Sequence, residues 1–132
     1  MRRRRRITLA AVRRLALALP EAVERSHFDV PDFRVRNKIF AALPDGDRAV
    51  VVKTDPANAE ALVSWDGIAF WNEWRGRWLG VRLDRVSLPV LRDLLSDAWR
   101  LVAPKKLTAA LRESGPRAPP PNKRLKLAAR VD

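Results

Sequence analysis

The stretch FDVPDFRVRNKIFAAL, Phe28 to Leu43, decides how the rest of the chain is read. Phe33–Arg36 alternates apolar and basic residues, the pattern of a half-buried strand. Asn37-Lys38 suits a two-residue hairpin turn, because asparagine tolerates positive φ. Ile39–Leu43 then returns as a second strand. With that turn Val35 faces Phe40 and Phe33 faces Ala42 on one side. Arg34 and Arg36 point to the other side, beside Ala41 and Ile39. Working outward, PDGD at Pro44–Asp47 makes a second turn. RAVVVKT at Arg48–Thr54 makes a third strand, with Val50 and Val52 on one face and Val51 and Lys53 on the other.

Upstream, Thr8 caps a helix whose Leu9, Val12, Leu15, Ala16 and Leu19 share one face, while Arg13 and Arg14 lie on the other. The arginine pair breaks the apolar run, and no small-residue cleavage site precedes Pro20, so an export signal is not expected. EAVERSH, after Pro20, reads as a polar link. Downstream, Asp55-Pro56 is a helix start, an acid cap followed by proline at the first helical position. That helix runs to about Trp65 and ends at Asp66-Gly67. Strand character follows at Ile68–Trp71, then a turn at Arg75–Arg77 and a strand at Trp78–Leu83. Ser87 caps a long helix in which Leu88, Leu91, Leu95, Ala98 and Val102 recur at helical spacing, widened by Leu94, Trp99 and Leu101. Pro104 stops it, and KKLTAALRES adds a short helical piece. The predicted class is α+β, with helices packed on an antiparallel sheet.

Composition narrows the function. The chain has 132 residues, 47% of them hydrophobic, which suits a single domain. It has no cysteine and one histidine, His27, so thiolate zinc sites, disulfides and cysteine nucleophiles are excluded and no metal or cofactor is expected. It has no apolar run long enough to cross a bilayer, and a cytoplasmic monomer is expected. The net charge is +12, but residues 1–6 hold +5 and residues 114–132 hold +4, leaving +3 for residues 7–113. The expected organisation is an arginine-rich arm at 1–6, one domain at 7–113, and a proline-rich basic tail at 114–132, with both ends disordered. A helical turn near Leu125–Arg130 is the only structure considered for the tail.

His27 beside Ser26 carries little catalytic signal. Sequence neighbours rarely reach hydrogen-bonding geometry, and a third group must orient the base. The acids Asp45, Asp47, Asp55 and Asp66 have turn or cap roles, and no glycine-rich phosphate loop is present. No constellation supports an enzyme. The stronger signal is basic and aromatic. Arg34, Arg36, Lys38 and Lys53 can track a phosphate backbone. Arg75, Arg77 and Arg82, with Asn72, flank Trp74 and Trp78, which can stack on bases if exposed. The same side chains also fit the solvated side of an ordinary sheet or a protein-binding or small-ligand-binding face, and Trp65, Trp71 and above all Trp99 read as core.

Four stretches, HFDVPDFRVRNKIFAAL, VVVKTDPANAEALV, FWNEWRGRWLGVRL and LLSDAWRLVAPKKL, occur in an order that resembles the MmcQ/YjbR family of small DNA-binding-like proteins. The resemblance spans roughly Leu9 to Leu111. Its marks are the basic-apolar strand ending at Lys38, Lys53 before Asp55-Pro56, Asn72 ahead of the strand led by Trp78, and Trp99-Arg100-Leu101-Val102. Members of that family usually carry glycine where this chain has Asn37, and both residues suit the turn. The resemblance implies a CyaY-like α+β fold, also described as a double wing, in a bacterial protein with DNA as the partner.

Overall fold

The computed structural model describes residues 6–114. The expectations for the arm at 1–5, for residues 115–132 and for a turn near Leu125–Arg130 lie outside them. The first helix, α1 (Leu9–Leu17), starts where the Thr8 hydroxyl accepts a hydrogen bond from the Ala11 amide at 3.1 Å. Its Val12 and Ala16 are fully buried, and Arg13 on the flank reaches Glu24 at 3.0 Å. Six strands and two helices follow in a simple order: β1 (Val23–His27), β2 (Val30–Val35), β3 (Lys38–Ala42), β4 (Ala49–Lys53), α2 (Pro56–Trp65), β5 (Phe70–Glu73), β6 (Trp78–Arg82) and α3 (Leu88–Val102). A helix α4 (Lys105–Ser114) closes the described chain. The sheet has six strands in the order β1-β2-β3-β4-β6-β5, every neighbouring pair antiparallel. The α+β class is as the sequence predicts.

One sheet face is covered. Phe33, Val35, Phe40, Val50, Val52, Phe70, Leu79 and Val81 are buried beneath Leu91, Leu95, Ala98 and Trp99 of α3 and the apolar side of α1. Trp99 also donates its indole N–H to the Pro20 carbonyl at 3.0 Å, which ties the end of the first helical segment to the core. The predicted α3 stripe holds at its centre, but Leu88 and Leu101 at its edges are exposed. The two other caps expected from the sequence are in place: Asp55 accepts from Asn58 at 2.8 Å and Ser87 from Val90 at 3.4 Å.

The hairpin differs from its sequence reading in three ways. The turn lies at Arg36-Asn37, both at positive φ, one residue earlier than Asn37-Lys38. Arg36 therefore leaves the strand alternation. The register is Val35 opposite Lys38, Arg34 opposite Ile39 and Phe33 opposite Ala41, with Phe40 unopposed. That extra residue is a β-bulge. It lets Phe40 and Ala41 both enter the core, while Ile39 and Ala42 both reach the other face. Ala41 is thus a core residue and not a neighbour of the arginines. The segment read as a polar link is an edge strand, β1, paired along its whole length with β2. The short strand after α2 runs Phe70–Glu73, two residues later than expected, and its turn begins at Trp74.

Candidate functional site

The uncovered sheet face curls into a cavity of about 400 Å³, lined by His27, Val30, Ile39, Ala42, Pro44, Val51, Glu73, Trp74 and Trp78. Residues from both edge strands, β1 and β5, meet in it, so the curl brings the two outer hairpins to one site. Strand alternation fills the floor with Val30, Val51 and Trp78, and the β3 bulge adds Ile39 and Ala42 together.

At one end stands a polar network that cross-strand register creates. His27 is opposite Val30, so His27 and Asp32 are diagonal neighbours on one face. His27 Nδ1 lies 2.7 Å from Asp32 Oδ2, and because a carboxylate only accepts, Nδ1 carries the proton. Arg34 donates to the same carboxylate twice, through Nε at 2.8 Å and Nη2 at 3.1 Å, and to Asn37 Oδ1 through Nη1 at 3.0 Å. Asp32 is 0% exposed. Its burial pushes the carboxyl upward, but the hydrogen bonds from Arg34 and His27 outweigh that and hold it below the ordinary aspartate value. Arg34 is held above its usual value by the same contact. Arg36 donates to Glu21 through Nε at 2.6 Å and Nη2 at 3.1 Å, which lowers the Glu21 carboxyl.

At the other end is the β5–β6 hairpin. Trp74 and Arg75 sit consecutively in the left-handed region, at φ 52° and 57°, ahead of Gly76 at φ 81°. For a bulky residue such as tryptophan that backbone is an outlier. The turn is secured by the Arg77 amide on the Trp74 carbonyl at 3.1 Å and by the Thr54 amide on the Arg77 carbonyl at 3.0 Å. Trp74 is 78% exposed at the mouth of the cavity. Behind it Lys53 Nζ lies 5.1 Å from the centre of the Trp78 ring, a cation–π contact. Trp71 packs flat over Gly80, where an added Cβ would fall 1.9 Å from its ring, and donates to Glu73 Oε1 at 2.8 Å.

The fold therefore sorts the residues singled out in the sequence. Trp74 and Trp78 line the cavity, and Lys53 lies over the Trp78 ring. Arg75 and Arg77 stand exposed beside it, with no ion pair among the described residues. Arg34 shares the open face but is bound to Asp32, and Arg82, on the strand face of Trp78, lies 3.6 Å from Asp84. Arg36 turns away to Glu21, Lys38 is exposed at the hairpin end, and Asn72 lies on the β5 face opposite Trp71 and Glu73. Sequence reasoning missed His27 with Asp32, and also Glu73. Reading β1 as a strand and Phe28-Asp29 as a two-residue turn would have put His27 and Asp32 together. Among the described residues no group of three or more histidine or acidic side chains is arranged to hold a metal, and no helix is long and apolar enough to cross a membrane.

The model of the YjbR family matches residues 17–101, which include every strand, α2 and nearly all of α3. The chain belongs to the YjbR family. Its fold is also that of the crystal structure of Deinococcus radiodurans protein DR2400, which has a DUF419 domain: the two share a TM-score of 0.66 at 24% identity, over 80% of this chain and 86% of that one. The comparison with curated proteins returns no match. The YjbR match ends before α4, so the cavity, both outer hairpins and the His27–Asp32–Arg34 network all lie within the family region.

Proposed function

We propose that this YjbR-family chain is a small nucleic-acid-associated module of the bacterial cytoplasm, which binds DNA without catalysing a reaction. The observation that carries this reading is Trp74: an indole 78% exposed, held on left-handed backbone and followed in the same turn by Arg75 and Arg77, while Lys53 lies over the neighbouring Trp78 ring. An exposed aromatic flanked in its turn by cations without ion-pair partners among the described residues is what backbone tracking with base stacking requires. Lys38 extends the cationic edge at the other hairpin. Arg34 and Arg36 contribute less directly, since each is already neutralised by an acid.

The test uses the full chain and fluorescently labelled duplex and single-stranded DNA in a salt titration. Lys53→Glu, Arg75→Glu and Arg77→Glu together are expected to reduce the slope of log K against log salt by about 2 to 3. An unchanged slope and affinity would remove this hairpin from the interface and leave any binding to the basic segments at the two ends. Small-ligand binding on the same face is the second reading, and the cavity itself favours it.

A further inference from the structure

We infer that the cavity on the open sheet face is a binding site for one planar, amino-bearing heteroaromatic ring of the nucleobase class. The inference rests on the proposed association with nucleic acid but concerns a different part of the surface. The phosphates belong outside, on Lys53, Arg75 and Arg77, and the ring belongs inside.

Three observations select that occupant. The volume of about 400 Å³ lies within the range of small-molecule sites. The lining is flat and apolar where a ring would stack: Trp74 and Trp78 supply aromatic surface, and Val30, Ile39, Ala42 and Val51 supply the floor. Its polar side chains are His27 and Glu73, and both present acceptors. His27 has its Nδ1 committed to Asp32, so Nε2 is the ring nitrogen left for a ligand, and it is an acceptor in the Nδ1–H tautomer. Glu73 uses Oε1 to accept from Trp71, and Oε2 remains for a ligand. A phosphate or carboxylate inside the cavity would face the Glu73 carboxylate. A purely apolar guest would leave two acceptors without donors. A ring edge that carries an exocyclic amine satisfies both conditions. Adenine and cytosine have one, whereas thymine offers a single N–H between two carbonyls, which would oppose the acceptors.

The ring has two sources, a base of a single strand or a free nucleoside, and the experiment separates them. Labelled oligo(dA), oligo(dC) and oligo(dT) are titrated against the full chain, and free adenosine and thymidine are titrated while the His27 ring resonances are followed by NMR. The expected result is binding of oligo(dA) and oligo(dC) about tenfold tighter than oligo(dT), the scale of one stacked and paired base. Adenosine, and not thymidine, is expected to shift the His27 resonances. Ala42→Phe, which fills the cavity from its half-buried floor, is expected to erase the difference between oligomers and leave the salt-dependent part. The nucleoside titration on the unaltered chain does not depend on that variant folding. If all oligomers bind alike and adenosine leaves His27 unmoved, the ring site is refuted while phosphate binding stands. If adenosine shifts His27 but no oligomer binds, the ring site stands and the nucleic-acid reading falls. If neither happens, both fall.

Discussion

Replacing Asp32 with alanine tests the network that shapes one end of the cavity. The carboxylate is 0% exposed and accepts three hydrogen bonds, one from His27 at 2.7 Å and two from Arg34 at 2.8 and 3.1 Å. Removing it leaves the Arg34 guanidinium, whose side chain is only 17% exposed, with Asn37 as its remaining acceptor. Breaking a buried ion pair from one side costs about 3 to 5 kcal/mol. His27 is 41% exposed and can recover its lost bond from water, which puts this site at the lower end, about 3 kcal/mol. The assay is urea unfolding followed by tryptophan fluorescence at neutral pH, with the denaturant slope checked for constancy. The double replacement Asp32→Leu with Arg34→Met removes both charges together and is expected to lie within about 1 kcal/mol of the parent. A loss below about 1 kcal/mol for Asp32→Ala, or a double variant no better than the single one, would show that the cluster does not stabilise the sheet in the way argued.

Acid should expose the same residue. The folded carboxyl of Asp32 is lower than its unfolded value, so its stabilisation is complete above about pH 3.8 and is lost as pH falls through the folded value. Glu21 acts in the same direction from its usual 4.5 downward, more weakly because it is exposed. Thermal unfolding between pH 2 and 6 is therefore expected to show an acid limb that flattens in Asp32→Asn; an identical limb in both proteins would refute the assignment. Gly80→Ala places a methyl group 1.9 Å from the Trp71 ring and should displace that indole from Glu73, at a cost of about 1 to 3 kcal/mol in the same urea assay. An alanine variant as stable as the parent would mean that Trp71 has room to move.

Helices were legible in the sequence because their ends are written in local chemistry. Thr8, Asp55 and Ser87 each accept from a backbone amide three residues on, and that requires no knowledge of the sheet. Edge strand β1 was not legible. Glu24, Arg25 and Ser26 give no apolar alternation, since the strand is held by its backbone ladder to β2 and by Arg13 at Glu24. The bulge at Phe40 was hidden for a related reason. In KIFAA a strict two-residue period and a bulged one differ only in where Ala41 and Ala42 point, and small side chains leave little signal of burial. A turn set one residue too late then carried Arg36 onto the wrong face.

Those two omissions also explain what the charge pattern concealed. Arg34 and Arg36 read as a cationic strand face because their acids fall outside the strand read at Phe33–Arg36: Glu21 precedes β1, and Asp32 lies just ahead of Phe33. In the fold both arginines are structural cations, and two cations without ion-pair partners among the described residues, Arg75 and Arg77, stand instead at a turn whose sequence, WRGR, carries little secondary-structure signal. That turn is energetically peculiar. Two non-glycine residues in left-handed backbone oppose folding, and such strain persists only where neighbouring contacts hold it. Here Thr54 holds Arg77, Arg77 holds Trp74, and Gly76 fits against Pro56 with a virtual Cβ only 3.1 Å from its Cα. The β1–β2 tip repeats the arrangement, with Phe28 and Asp29 both at positive φ and Phe28 96% exposed. Hydrophobic burial favours neither aromatic at its tip. Both outer hairpins adjoin the cavity, through His27 and Val30 on one side and Glu73 and Trp74 on the other. An exposed aromatic at each is therefore better explained by what the open face binds than by what the core needs.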